Sequence, residues 1–462
     1  MPTVTFGVRY YPALAANGRI PLLGGRIELM STTTRNVRTI IAASSGNLVE
    51  WFDFYIYAFF SVYFAERFFI GTGQTGAFLK TAGVLFVGFL MRPIGGYIFG
   101  RIADRAGRKR SMLIAILMMC AGSLLMAALP TADQVGSLAP VLLLLVRCIQ
   151  GISVGGEYGA TATYMSEVAK PGQRGFYSSF QYVTLIGGQL LASLLAVIMT
   201  RFLSDDQIAD VWWRLPFLIG AGAAIVSLFL RSQLHETTSS ENRTTNNAGT
   251  FREVLAHPRS FWVVLGFTAV GSLTFYTFTT YMQKYLINTG GFPKSDVALT
   301  MTICLLIFMV MQPIVGMVSD RIGRKNSMRI FSIGMIVLPV PVFSFMGASH
   351  SLVACAVALL VTMVFLSFYT AISGIVKAEM FPTYIRALGV SFTYALGNSF
   401  FGGSAEYVAL GLKNGGHASV FPWYVVVMAV LGLVAVHFMH DNRQHSTIDN
   451  SADSSYGRSA VR

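Results

Sequence analysis

Twelve long apolar runs, each parted from the next by a polar connection, make up most of this chain. They fall at 38–63, 77–99, 112–130, 139–164, 176–200, 212–231, 260–287, 297–318, 328–347, 352–376, 387–411 and 420–440. A helix needs about 20 apolar residues to cross the hydrocarbon core, whereas strands of globular proteins are about 5–6 residues long. The pattern predicts an all-α membrane protein with twelve transmembrane helices. One connection is longer than the others, 232–259, and is polar around Ser239-Ser240-Glu241-Asn242-Arg243-Thr244-Thr245. It divides the chain into six-helix halves at 38–231 and 260–440. Asn242-Arg243-Thr244 spells a glycosylation acceptor, but a loop expected in the cytoplasm never meets that machinery, so the match is read as chance.

Residues 1–37 form an extension without the apolar core of a secretory signal peptide. Met30 stands just before Ser31-Thr32-Thr33-Thr34, and two readings stay open: translation starts there, or the preceding residues are a disordered cytoplasmic segment. The tail at 441–462 is polar and is expected to be disordered.

Composition excludes the soluble alternatives. Of 462 residues 54% are apolar and 12% charged, with a mean hydropathy of +0.59; a soluble domain carries about 25% charged residues. The net charge of +13 would suggest nucleic acid in a soluble protein, but here its placement sets topology instead. Counted with the span ends beside them, the connections after spans 2, 4, 6, 8 and 10 hold 17 Lys and Arg and the alternate set about seven, so both termini are expected in the cytoplasm. Cys120, Cys148, Cys304 and Cys355 lie in apolar runs at unrelated spacings and read as packing residues.

The halves repeat each other. Gly100-Arg101-Ile102-Ala103-Asp104-Arg105-Ala106-Gly107-Arg108-Lys109-Arg110-Ser111-Met112 and Gly316-Met317-Val318-Ser319-Asp320-Arg321-Ile322-Gly323-Arg324-Lys325-Asn326-Ser327-Met328 occupy equivalent connections and match at eight of thirteen positions. Glu167 precedes Arg174 by seven residues, as Glu379 precedes Arg386. Repeated halves suit a transporter in which one half rocks against the other around a central site. The lone acids Asp104 and Asp320 in cationic clusters point to a gate, since each can cap a helix N-terminus or pair with an arginine. The candidate gate comprises Asp104, Arg105, Arg108, Glu157, Glu167, Arg174, Asp320, Arg321, Arg324, Glu379 and Arg386.

These loops, with Arg147-Cys148-Ile149-Gln150-Gly151-Ile152-Ser153-Val154-Gly155-Gly156-Glu157, resemble the major facilitator superfamily. Asn47-Leu48-Val49-Glu50-Trp51-Phe52-Asp53-Phe54-Tyr55 and Phe89-Leu90-Met91-Arg92-Pro93-Ile94-Gly95-Gly96 are similar to its metabolite:proton symporter family. The resemblance implies the major facilitator fold, a monomer, a coupling role for Arg147 and inward proton symport. With Gly175–Leu185, Phe278–Tyr285 and Gly402–Tyr407, it implies a small dicarboxylate, α-ketoglutarate foremost. Citrate, shikimate and zwitterions such as betaine or proline are the rival substrates, and a non-transporting nutrient sensor is the rival of another class.

Ionisable groups inside a membrane cost about 2.5–3.5 kcal/mol each on insertion scales and need a partner or a task. By helical rise Glu50 and Asp53 lie about 15 and 20 Å, and Arg92 about 13 Å, from the cytoplasmic edge. Arg92 either binds a substrate carboxylate through its planar fork or pairs permanently with Glu50. Asp53 and Glu50 are the candidate proton carriers, Asp53 being favoured for its depth, with Arg147 as partner. Tyr55, Gln181, Gln189, Tyr281, Tyr369 and Asn398 are polar residues able to complete a binding site. Gly151-Ile152-Ser153-Val154-Gly155 spells a hydrolase motif inside a predicted transmembrane helix, where the strand-to-helix turn it needs is lacking. The sequence has no nucleotide-binding loop and no metal-ligand spacing. No cofactor, nucleotide or nucleic acid is expected; the lipid bilayer and protons are.

Overall fold

Glycines, breaks and buried polar groups decide how the apolar helices assemble. The computed structural model describes residues 24–71, 73–238, 248–439 and 448. The N-terminal extension to residue 23, the middle of the long connection and nearly all of the tail lie outside the described residues. The chain divides at Ile41, and residues 42–462 form one compact unit that holds every contact discussed below.

The principal helices are α1 (Gly24–Phe68), α2 (Gly73–Leu90), α3 (Arg92–Ala106), α4 (Arg108–Ala128), α5 (Leu138–Val168), α6 (Arg174–Phe202) and α7 (Leu215–Ser232). After the long connection come α8 (Pro258–Tyr276), α9 (Met282–Asn288), α10 (Lys294–Ile322), α11 (Arg324–Val337), α12 (Pro339–Ala348), α13 (Leu352–Thr370), α14 (Ser373–Ala378), α15 (Arg386–Gly397), α16 (Ala405–Asn414) and α17 (Val420–His437). Helix occurs at all twelve predicted spans. Among the described residues nine helices are long and apolar enough to cross a membrane, ten when α11 and α12, bent by 44° at Leu338, count as one. The two spans that fall short are 38–63 and 387–411. The first carries Asn47, Glu50 and Asp53; the second is interrupted by a π-helical segment, Asn398–Gly402.

Several spans break where polar residues enter the interior. Met91 separates α2 from α3, so Arg92 opens a helix with Pro93 in its first turn. Ala371 and Ile372 separate α13 from α14, and a second π-helical segment, Thr277–Tyr281, separates α8 from α9. Such irregular backbone is tolerated at membrane depth where protein surrounds it, and it often marks functional positions.

The outer face is apolar, with Leu117, Leu194, Val197, Val310, Val353 and Val427 exposed, as expected of side chains that meet lipid. Inside, close approach relies on glycine. A Cβ on Gly151 would stand 2.2 Å from the Gly88 carbonyl oxygen, and one on Gly155 2.0 Å from that of Arg92, so α5 lies against α2 and α3 at backbone distance. The most extensive packings join the two sequence halves, α6 with α10 and α3 with α15. At the first, Gly175 and Gly316 face each other, each leaving no room for a Cβ on the other; at the second, Gly96 and Gly100 lie against Ser391 and Leu388.

Gly155→Ala is expected to lower stability by about 1–3 kcal/mol through overpacking. Gly222→Ala, at a site with no neighbour within 4 Å, is expected to be neutral or stabilising by about 0.4–1 kcal/mol. Thermal unfolding in detergent checks the pair, and equal shifts would contradict the packing described.

Candidate functional site

The repeated loops form two matching structures at the arginine-rich end of the bundle. Gly107 and Gly323, the equivalent glycines of the repeat, have φ of +107° and +94°, a conformation that favours glycine. Each turn ends a helix whose last residues include the repeated aspartate. Asp104 accepts from the Ala387 and Leu388 N–H groups at 3.1 and 2.9 Å, at the start of α15. Asp320 accepts from the Gly175 and Phe176 N–H groups at 2.8 and 3.0 Å, at the start of α6. Each carboxylate also pairs with the arginine four residues on, Arg108 at 2.6 Å and Arg324 at 2.9 Å. Each aspartate thus satisfies the free N–H groups of a helix from the other half and sits at its positive dipole end.

Around Asp104 the candidate gate residues converge. The Glu167 carboxylate accepts from Arg108 at 3.3 Å and from Arg386 at 3.1 Å. Arg108 also donates to the Thr383 carbonyl at 3.0 Å, and Arg386 Nε to the Ala378 carbonyl at 3.1 Å. Arg105 donates to the Ala248 carbonyl at 2.8 Å. Arg174, next to Gly175 of the second cap, and Glu379 are both buried, whereas Arg321 is exposed. Glu157 lies elsewhere: it forms a fully buried, two-pronged pair with Arg231 and accepts from Thr161 at 2.6 Å, all within the first half.

Helices α3 and α15 run antiparallel between two polar contacts. At one end stands the Asp104 cap; at the other, Arg92 donates to Asn398 Oδ1 at 2.7 Å. Arg92 is buried, and its guanidinium lies over the Phe89 ring at 3.8 Å, with Phe54 at 5.2 Å and Trp51 at 5.5 Å. The expected alternative of a permanent Glu50–Arg92 ion pair is not formed: among the described residues no carboxylate oxygen lies within 4 Å of Arg92. The reason is that the aromatic rings of α1 and α2 and the Asn398 amide surround the guanidinium. Among the described residues the buried Glu50 carboxylate has one weak donor, Ser153 Oγ at 3.5 Å.

Asp53 is held closely. It accepts from Ser123 Oγ at 2.6 Å, Gln150 Nε2 at 2.8 Å and Arg147 at 3.4 Å. Arg147 in turn lies 3.8 Å from the Tyr57 ring centroid and donates to Gln150 Oε1 at 2.5 Å. A cavity of about 20 Å³ is lined by Asp53, Arg92, Arg147 and Gln150 together, a volume near that of one water. The acid–arginine pair and Arg92 therefore face one small space, walled otherwise by apolar side chains such as Phe54, Leu85, Met119 and Val154.

The other proposed ligands divide. Tyr55, Gln181 and Gln189 are buried, and among the described residues the Tyr55 hydroxyl and both amide oxygens have no hydrogen-bond partner. Tyr369 is the acceptor of a hydrogen bond at 3.2 Å from Lys377, a residue that sequence reasoning had counted among the loop cations. Tyr281 belongs to a different neighbourhood, packed among Tyr285, Phe343 and Phe421. Lys284 and Glu406 pair with each other at a more exposed position. Among the described residues no cluster of His, Cys, Asp and Glu is arranged to hold a metal.

The chain matches the profile of the Major Facilitator Superfamily over residues 43–405 and 291–455. It is 53% identical over 416 residues to the alpha-ketoglutarate permease of Escherichia coli, covering 89% of this chain and 95% of the permease. It is 30% identical over 423 residues to the citrate-proton symporter of Salmonella typhi, covering 89% and 96%. The E. coli proton:xylose symporter XylE shares its fold, with a TM-score of 0.74 at 17% identity over 90% of this chain and 98% of that one. With its repeated loops, its all-helical bundle and these relatives, the chain belongs to the Major Facilitator Superfamily.

Proposed function

We propose that the protein carries α-ketoglutarate inward with protons, by alternating access, across a bacterial inner membrane. The observation that carries this reading is Arg92: a buried guanidinium with no carboxylate within 4 Å among the described residues, in a chain 53% identical to an alpha-ketoglutarate permease. A planar fork suits a carboxylate. Four of the rings suited to caging a quaternary ammonium cover arginines instead, Trp51, Phe54 and Phe89 over Arg92 and Tyr57 over Arg147. That arrangement disfavours betaine, whose cation the guanidinium would repel.

Coupling is assigned to Asp53 and Arg147. Protonating Asp53 removes the charge that holds Arg147, and the released guanidinium faces the same cavity as Arg92, so a proton and an anionic substrate favour each other's binding. Glu50 is the second candidate carrier. The arginine-rich end is placed in the cytoplasm, with both termini on that side. The caps by Asp104 and Asp320 then shut the cytoplasmic entrance, and opening requires four backbone-to-carboxylate hydrogen bonds to part. Glu157, paired with Arg231 inside the first half, acts in holding that half together.

Proteoliposomes holding the purified protein are expected to accumulate labelled α-ketoglutarate under an inward proton gradient, with citrate, shikimate and betaine competing poorly. Competition by betaine alone would sink the substrate assignment. A charged hydrogen bond of about 1.5–3 kcal/mol corresponds to roughly 10–100-fold in affinity, so Arg92→Ala is expected to lose at least about tenfold. Asp53→Asn is expected to keep substrate exchange between equal pools but to lose the acceleration by a gradient; unaltered acceleration would remove Asp53 from the coupling pair. Asp104→Asn and Asp320→Asn should each slow net uptake while leaving substrate affinity within about threefold (~0.65 kcal/mol), measured by initial rates over a concentration series.

A further inference from the structure

A cation buried in a low-dielectric interior is costly unless a negative charge lies beside it. Arg108, Arg147, Arg231 and Arg386 follow this rule, each with a carboxylate within 4 Å. Lys377 does not. It lies in α14, after the break at Ala371 and Ile372, and is fully buried. Its ammonium donates to the Tyr158 hydroxyl at 2.9 Å, the Tyr369 hydroxyl at 3.2 Å, the Ser373 carbonyl at 3.2 Å and the Ser373 hydroxyl. The rings of Tyr158, Tyr369 and Tyr394 stand 5.0–5.1 Å from it, and Phe267 5.9 Å. Every one of these partners is neutral, and among the described residues no carboxylate oxygen lies within 4 Å.

Lys377 and Arg92 are joined through α15. The Tyr394 ring, 5.1 Å from the ammonium, stacks on Tyr158 of the other half with centroids 3.3 Å apart. Asn398, which receives the hydrogen bond from Arg92, follows Tyr394 by four residues, about 6 Å along the same helical face. The two uncompensated cations thus lie along one face of α15, one in each sequence half. A five-carbon dicarboxylate has its carboxyl carbons about 5 Å apart. With a hydrogen bond of about 3 Å at each end, such an acid reaches roughly 11 Å, long enough to engage two cations held along one helix face.

We propose that Lys377 is the second carboxylate anchor, so that Arg92 and Lys377 hold the two ends of one substrate and select dicarboxylates over monocarboxylates. The inference rests on the reading of the chain as a carboxylate transporter. It also gives the substrate a mechanical role, because a dianion bridging α3 and α14 draws the halves together around it.

The test measures binding of two acids of equal chain length to the full-length protein by titration calorimetry: α-ketoglutarate, and 2-oxopentanoate, which lacks the distal carboxylate. Wild-type protein is expected to prefer α-ketoglutarate by roughly tenfold to a hundredfold, the range of a charge-assisted hydrogen bond. In Lys377→Gln that preference should collapse to within about threefold (~0.65 kcal/mol), through weaker α-ketoglutarate binding with 2-oxopentanoate little changed, and Lys377→Arg should restore most of it. Retained 2-oxopentanoate binding shows that the variant is folded. A Lys377→Gln protein with the wild-type preference, or with both acids weakened in parallel, overturns the anchor while the carboxylate reading stands. Wild-type protein that binds neither acid overturns that reading, and the anchor with it.

Discussion

The carboxylate of Asp104, accepting two backbone N–H groups at the start of α15, fixes the crossing on which the interior depends. A helix start buried without acceptors is costly, so α15 is held where that acid stands. Glycines 96 and 100 then let α3 and α15 approach to backbone distance, and the far end of the same pair brings Arg92 onto Asn398. The Asp104 cap and Arg92, the proposed gate and the proposed binding arginine, are thus two ends of one packed helix pair. Asp320 repeats the arrangement on α6, and the internal repeat of the sequence becomes two caps on one end of the bundle.

Much of this was legible in the chain because the signals are local. The apolar runs located helices, and the repeated loops singled out Asp104, Asp320 and the two glycines whose turns need a positive φ. Arg92 stood out as a charge in an apolar run. What was not legible has a common physical cause. Hydropathy puts Arg231 and Lys377 at the edges of their apolar runs, where they read as topology-setting cations, yet both are fully buried. Their burial depends on tertiary partners: Glu157 for Arg231, a group of tyrosines from both halves for Lys377. A Lys followed by Pro five positions on, at the end of a long apolar run, was the available signal for the second. The Glu50–Arg92 pair was suggested by depth alone, and depth does not tell on which face of a helix a side chain stands.

The placement of charge separates two kinds of buried group. Glu157 with Arg231, and Glu167 with Arg108 and Arg386, are neutralised within the protein and suit structural or gating work. Asp53 with Arg147 is neutralised across one small cavity that Arg92 also lines, which suits exchange of a proton for an interaction. Arg92 and Lys377 have only neutral partners within 4 Å among the described residues, and a dianionic substrate would bring each of them a carboxylate.

Electron–electron distance measurements test directly whether carboxylate-held helix starts shut the arginine-rich end. Spin labels would replace Gln173 and Asn326, exposed positions beside the Asp320 cap, in a chain whose four native cysteines are changed to alanine. The otherwise unaltered protein is expected to give a short, narrow distribution. A second, longer population should appear when Asp104→Asn and Asp320→Asn are combined. Identical distributions in the two proteins would contradict closure by the carboxylates.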